Sequence, residues 1–83
     1  MNKYYNKNNV VEAIQFTLDS IGEIGQYINR FEIAFNIDGR TPFLLFPENV
    51  SKQRVREYDW VVFGDKLEVL DEEDFNRNYG KLK

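Results

Sequence analysis

The chain has 83 residues, a formal net charge of −3, and neither cysteine nor histidine. Without imidazoles and thiols it lacks the commonest general base, the thiol nucleophile and most transition-metal ligands. The acidic balance argues against nucleic-acid binding, because that affinity relies on cations that displace phosphate counterions. The length predicts a single domain over residues 1–83, and the aromatic content of 16% predicts a core rich in rings.

No apolar run approaches the roughly 20 residues of a membrane span. The opening residues, MNKYYNKNN, lack the apolar stretch of a secretory signal. We therefore expect a cytosolic protein that makes no contact with a membrane.

The first predicted strand covers residues 10–16, VVEAIQF, and contains one carboxylate. Alternation places Glu12 on the more apolar face of this strand. We interpret Glu12 as a structural group, either at the sheet rim or paired with a cation such as Arg54 or Lys66. The alternative is a catalytic carboxylate with a raised pKa.

A helix is predicted next, within residues 17–31. Its apolar face is marked by the three-or-four spacing of Ile21, Ile24, Ile28 and Phe31. Ser20 and Glu23 fit a capping box at the helix start.

Residues 31–46 predict a β-hairpin, because Asp38-Gly39 separates two alternating apolar runs. A two-residue loop pairs Phe35 with Pro42 and Ile33 with Leu44. Pro42 has no amide donor, so we expect it at an edge or at a non-bonded position. One face of the hairpin is then apolar, whereas the other is mixed and exposes Phe43 and Leu45. These two side chains need cover from the helix, from the chain termini or from a second subunit.

Residues 47–57 are polar, with a short strand predicted near residues 53–55. A second hairpin follows, with Gly64-Asp65 as its turn and Trp60, Val62, Leu67 and Val69 on one face. Residues 71–80 predict a short helix, with acids in its first turn and Phe75 and Tyr79 on one side. The element order predicts an α+β fold: a small, mostly antiparallel sheet of about five strands in two hairpins, packed with an N-terminal helix and a short C-terminal helix.

Both ends of the chain carry distinctive motifs. Lys3-Tyr4 is followed by Val11-Glu12-Ala13-x-Gln15-Phe16, and later come Asp59-Trp60-Val61-Val62-x-Gly64 and Glu73-x-Phe75-x-x-x-Tyr79. In these motifs the chain resembles a family of short, largely uncharacterised phage and prophage proteins of Gram-positive bacteria. The family places a glycine where this chain has Tyr58. The resemblance implies a phage-encoded protein and transfers no catalytic residues or activity.

Carboxylates are the remaining catalytic option, and Glu12 and Asp59 are the groups that such an enzyme would use. The stretch DKLEVLDEED is rich in oxygen ligands but does not have the spacing of an EF-hand loop, so we expect no metal and no cofactor. Lys3 and Lys7 beside Tyr4 and Tyr5 are the one hint of nucleic-acid contact. We assign Trp60 to the core.

These observations favour a small non-enzymatic module that binds a host or defence protein and modulates it. A homodimer, joined through a strand edge or through Phe43 and Leu45, is one form that it could take. The alternative is an inhibitor of a host or anti-phage defence nuclease, in which acids imitate phosphates. The candidate partner-binding residues are Phe43, Leu45, Asp65, Glu68, Asp71, Glu72, Glu73 and Asp74.

Overall fold

The computed structural model describes residues 3–6, 9–28 and 30–81. Eight strands and two α-helices follow one another in the order β1, β2, α1, β3, β4, β5, β6, β7, α2, β8. The strands are β1 (Lys3–Asn6), β2 (Asn9–Gln15), β3 (Glu32–Phe35), β4 (Pro42–Leu45), β5 (Val55–Arg56), β6 (Trp60–Phe63), β7 (Leu67–Leu70) and β8 (Gly80–Lys81). The helices are α1 (Ile21–Tyr27), preceded by the 3₁₀ turn Leu18–Ser20, and α2 (Glu72–Asn78). The predicted α+β class is confirmed.

The strands form two antiparallel sheets, which corrects the prediction of a single sheet. A five-stranded sheet has the order β7-β6-β2-β1-β8, and a three-stranded sheet has the order β3-β4-β5. The two predicted hairpins lie in different sheets. β1 was not predicted, because its residues are mostly polar. It pairs with β2 and places Tyr4 opposite Val11.

The centre of the larger sheet is the pair β2 and β6, which are distant in the sequence. Ala13 lies opposite Val62, and Gln15 lies opposite Trp60. The Gln15 side-chain amide donates to the carbonyl of Tyr58 (3.0 Å), and the Phe16 amide donates to the carbonyl of Asp59 (2.8 Å). The strands that carry Val11-Glu12-Ala13 and Trp60-Val61-Val62 are therefore central neighbours.

The register predicted for the β3–β4 hairpin is confirmed, with Phe35 opposite Pro42 and Ile33 opposite Leu44. The predicted two-residue loop is wrong, however: the Asn36 amide donates to the Thr41 carbonyl (2.9 Å), so four residues, 37–40, form the loop. Within it Gly39 has a φ of +70°, as the Asp-Gly signal predicts. Hydrogen-bonded and non-bonded pairs alternate from Asn36–Thr41, so Pro42 occupies a non-bonded position, as expected for a residue without an amide donor.

The register predicted for the β6–β7 hairpin is wrong by one residue. Phe63 pairs with Leu67, and Val62 pairs with Glu68, so the loop contains Gly64, Asp65 and Lys66. A slip of one residue moves every side chain of a strand to the opposite face. Leu67 and Val69 therefore lie on the face opposite to Trp60 and Val62.

The predicted apolar face of α1 is confirmed for Ile21 and Ile24, but the helix ends at Tyr27, so Ile28 and Phe31 lie beyond it, and the predicted cap is wrong. Ile24 is buried, and Ile21, Ile28 and Phe31 pack against the same cluster. The Ser20 hydroxyl makes no cap hydrogen bond to α1. Its oxygen instead accepts from the Thr17 amide (3.0 Å) and lies 2.9 Å from the Gln15 carbonyl, to which it can donate. These hydrogen bonds of Ser20 stabilise the 3₁₀ turn that leads into the helix.

The five-stranded sheet is covered on both faces. One cluster of buried side chains joins it to α1 and to the three-stranded sheet, through Ile14, Phe16, Ile24, Leu44, Phe46, Val55 and Val61. A second cluster joins the other face to α2, through Tyr4, Ala13, Val62 and Phe75.

Trp60 packs in the second cluster, as predicted. Its ring stacks on that of Phe75, with centroids 3.9 Å apart and planes 4° apart, and the edge of Tyr4 meets both rings. Tyr79 stacks on the far side of this group against Phe75 (5.1 Å). These rings explain the acid-x-Phe-x-x-x-Tyr motif as packing.

Candidate functional site

The base of the β3–β4 hairpin holds a groove of about 610 Å³, which we call the hairpin-base groove. Its apolar lining consists of Phe31, Leu45, Phe46 and Pro47. Its polar lining consists of Arg30, Glu32, Glu48, Ser51 and Lys52. Two cations and two carboxylates therefore rim an apolar floor. Grooves of this size with a few placed polar groups are typical binding sites.

The strand register builds this groove. Leu45 lies opposite Glu32 on the outer face of the small sheet. Phe46 turns inward and is buried, where its ring meets the ring of Phe31 edge-on at 6.1 Å. The loop after β4 supplies the remaining wall. Because Leu45 is exposed while its neighbours are anchored in the core, the groove floor is fixed and accessible.

The two predicted apolar contact residues have different surroundings. Leu45 lines the groove and remains 37% exposed. Phe43 is half-buried, and the Arg54 guanidinium carbon lies 4.5 Å above its ring centroid. A cation over an aromatic face is attracted by the ring quadrupole. The cover over Phe43 is thus Arg54 of the same chain, in place of the helix, the termini or the second subunit that were expected. Of the two residues, only Leu45 lines the groove.

The acids from Asp71 to Asp74 serve the helix that they begin. The Asp71 carboxylate accepts the Asp74 amide (2.7 Å) and caps α2. Arg77 bridges Glu73 (3.1 Å) and Asp74 (3.3 Å) one turn later. Glu72 lies in the first turn, where a negative charge favours the helix dipole.

Asp65 and Glu68 lie apart from the hairpin-base groove. Asp65 belongs to the β6–β7 loop, and Glu68 is exposed on β7. Both line a second groove of about 510 Å³, together with Val10, Lys66 and Tyr79. β7 is an edge strand, and charged residues on an edge oppose pairing with another chain. The predicted partner-binding residues thus fall into two separate regions of the surface.

Glu12 has a different neighbour from the cation expected for it. It is half-buried on β2, lies opposite Lys3 on β1, and forms a hydrogen bond with the Tyr27 side chain. This bond to a carboxylate is the main cause of a raised pKa at the Tyr27 hydroxyl. Arg54 instead lies over Phe43. These contacts link α1 to the sheet and favour the structural interpretation of Glu12.

The other candidate catalytic acid, Asp59, holds a turn. Its carboxylate accepts the Arg56 amide (2.9 Å), and its own amide donates to the Arg56 carbonyl (3.0 Å). Burial is the largest influence on this group and raises its pKa, while the Arg56 amide opposes that rise. Asp59 also lines a groove of about 460 Å³ with Arg54, Arg56, Asp71 and Asp74. There it is surrounded by charges of both signs.

Tyr58 has a φ of +73°. This is a conformation that glycine adopts most readily. The Tyr58 amide donates to the Phe16 carbonyl (2.8 Å), which ties the turn to the end of β2.

Of the residues weighed for nucleic-acid contact, Tyr4 is buried in the aromatic cluster and Tyr5 is exposed. Lys7 lies outside the described residues. Within the described ranges, no group of three acidic side chains is placed to hold a metal ion. No helix in the same ranges is long and apolar enough to cross a membrane.

Comparisons of the chain with models of protein families, with curated proteins and with solved structures gave no match. The site is therefore defined by its geometry. Sequence reasoning found Leu45 but missed Arg30, Glu48 and Lys52. These residues belong to polar segments on either side of the hairpin, and a sequence gives no sign that two such segments meet at a groove.

Proposed function

We propose that this protein is a small, phage-encoded, non-enzymatic module that binds a host or defence protein in the bacterial cytoplasm through the hairpin-base groove. The supporting observation is the exposed Leu45 on an apolar floor, surrounded by two cations and two carboxylates. The proposal of a phage origin rests on the motifs at the two ends of the chain.

The groove chemistry favours a protein as the ligand. Phe31, Leu45, Phe46 and Pro47 offer a surface on which an apolar side chain of the partner is removed from water. Interfaces gain most of their free energy from such anchors at the centre, while the polar rim sets orientation. A rim of balanced charge suits a peptide segment, which carries donors, acceptors and charges of both signs.

The acidic nuclease inhibitor is the second candidate. Asp65 and Glu68 on the β7 side are exposed, with one cation, Lys66, between them. The acids of α2 contribute less, because Arg77 offsets one of the two charges of Glu73 and Asp74 and because Asp71 caps the helix. Binding of this kind would weaken steeply as salt rises.

The test compares two matched substitutions of exposed aliphatic residues. Leu45→Arg places a charge in the hairpin-base groove, where Glu32 lies opposite. Val10→Arg makes a similar change in the groove on the other sheet. Circular dichroism and Trp60 fluorescence establish that both variants fold. Each tagged variant is used to capture proteins from host lysate, and a protein retained by wild type is purified and titrated.

We expect Val10→Arg to bind the purified partner as wild type does and Leu45→Arg to bind it at least about tenfold more weakly, which corresponds to 1.4 kcal/mol. Equal affinities of wild type and Leu45→Arg would contradict the proposal. Loss of binding at high salt, with Leu45→Arg unaffected, would favour the acidic surface instead.

A further inference from the structure

β3 is an apolar edge strand. It pairs with β4 on one side and, among the described residues, has no strand on the other. Ile33 is 44% exposed and Phe35 is 50% exposed, and Ile37 beyond them is fully exposed. Ile33 and Phe35 share one face of β3 and form an exposed apolar stripe along this edge, and Ile37 follows in the hairpin loop. Such an edge is a template for another strand.

The hydrogen-bond pattern identifies which backbone groups the edge offers. The Asn36 amide donates to the Thr41 carbonyl, and hydrogen-bonded pairs alternate with non-bonded pairs along an antiparallel ladder. Ala34 and Glu32 therefore direct their amides and carbonyls toward β4. Ile33 and Phe35 direct theirs to the free side.

One free edge of the larger sheet, β7, carries a net negative charge. It is preceded by Asp65 and Lys66, contains Glu68 and is followed by Asp71. Self-pairing of β7 would bring together three acids and one cation from each copy, and the excess of like charge opposes it. Around β3 the charges are mixed, with Arg30 before the strand and Asp38 after it.

We propose that two copies of this chain pair antiparallel along β3, with Ala34 opposite Ala34 of the second copy. Ile33 then faces Phe35 of the second copy, and the reciprocal pair forms on the other side of the two-fold axis. Both members of each pair have outward-directed amides and carbonyls, so these are the hydrogen-bonded pairs. The two three-stranded sheets become one six-stranded sheet, and the exposed apolar stripe is covered.

Charge selects this register among those that the bonding pattern allows. With Ala34 at the axis, Glu32 lies opposite Asn36 of the second copy, and Arg30, which precedes β3, lies beside the hairpin loop of the second copy, which carries Asp38. With Phe35 at the axis, Glu32 would lie toward Asp38 and Arg30 toward Arg40, so like charges would be brought together. With Ile33 at the axis, Arg30 would lie opposite Asn36 and farther from Asp38.

The first test is the mass of the wild-type chain in solution. A pairing through one short strand falls among small interfaces, below about 1,200 Å², which bind weakly. Sedimentation velocity is therefore measured from about 10 μM to about 1 mM, the range in which weak association is populated. We expect the mass to rise from monomer to dimer. A monomer across this whole range would overturn the proposal.

The second test exploits the absence of cysteine from the chain. Ala34→Cys places two thiols at the two-fold axis in a non-bonded pair, where Cα atoms lie about 4.5 Å apart, within the disulfide range of about 4.4–6.8 Å. Glu32→Cys is the matched control on the same face of β3, since Glu32 lies opposite Asn36 in this register. We expect Ala34→Cys to form a covalent dimer under mild oxidation at least about tenfold faster than Glu32→Cys. Equal rates, or faster cross-linking of Glu32→Cys, would overturn the register and with it the proposal.

The dimer and the proposed function are tested independently, because they use different faces of the hairpin. Leu45 lies on the outer face of β4, away from the Ile33 and Phe35 stripe. A wild-type monomer that binds its partner through Leu45 would refute the dimer alone. A dimer whose partner binding is insensitive to Leu45→Arg would refute the groove alone.

Discussion

Replacing Tyr58 with glycine is expected to stabilise the protein relative to Tyr58→Ala. Tyr58 has a φ of +73° and sits in a turn fixed by the amides of Arg56, Tyr58 and Asp59. The left-handed conformation destabilises a residue that has a Cβ by roughly 1–2 kcal/mol. Glycine avoids this strain but loses about 0.4–1 kcal/mol through the extra freedom of the unfolded chain. The net advantage of glycine over alanine is therefore about 1 kcal/mol.

Comparing the glycine and alanine variants isolates the effect of the backbone conformation on stability, because both variants lose the tyrosine ring. Gly22→Ala is the control of opposite sign. Gly22 lies in α1, and nothing occupies the space within 4 Å of a Cβ added there. Alanine should therefore gain roughly 0.5–1 kcal/mol at that position.

The assay is urea unfolding followed by the fluorescence of Trp60, which is packed between the sheet and α2. With an unchanged m-value, a shift in the midpoint measures a change in the free energy of unfolding. A Tyr58→Ala variant as stable as Tyr58→Gly would refute the reasoning, because it would mean that the turn carries no left-handed strain.

Three further predictions concern the packing, the helix cap and the pH dependence. Phe75→Ala should lower the free energy of unfolding by about 3–5 kcal/mol, since the ring is buried and stacked on Trp60, and thermal unfolding checks this. Asp71→Ala should lower it by about 1 kcal/mol through the lost α2 cap, as measured by urea unfolding. The hydroxyl of Thr41 and the amides of Thr41 and Arg40 lower the pKa of Asp38. The stability that Asp38 contributes is thus present at neutral pH and lost as pH falls through its folded-state pKa, so the advantage of wild type over Asp38→Asn should shrink in acid.

Local signals in the sequence predicted the local structure well. Asp38-Gly39 defined the register of β3 and β4, because alternating residues flank a turn that needs a positive φ. The acids before Phe75 marked the start of α2, and the four-residue spacing of Phe75 and Tyr79 identified its buried side.

The second hairpin shows where such signals fail. Gly64-Asp65 has the composition of a two-residue turn, but the loop also includes Lys66. Three of the four residues of β7 are apolar, so either face could be directed inward. Without a clear alternation the sequence could not choose between the two registers.

Local sequence patterns could not predict which distant strands pair. β2 and β6 are central neighbours, yet more than forty residues separate Gln15 from Trp60. The division into two sheets and the meeting of Arg30 with Lys52 at one groove both depend on such contacts. They arise from the packing of the whole chain.

The measurement that tests the central claim most directly is hydrogen exchange of the protein with and without its purified partner. Our account predicts that binding slows exchange in residues 30–32 and 45–52, which form the hairpin-base groove. Slowed exchange confined to residues 65–74 would contradict the account and place the partner on the acidic surface beside β7.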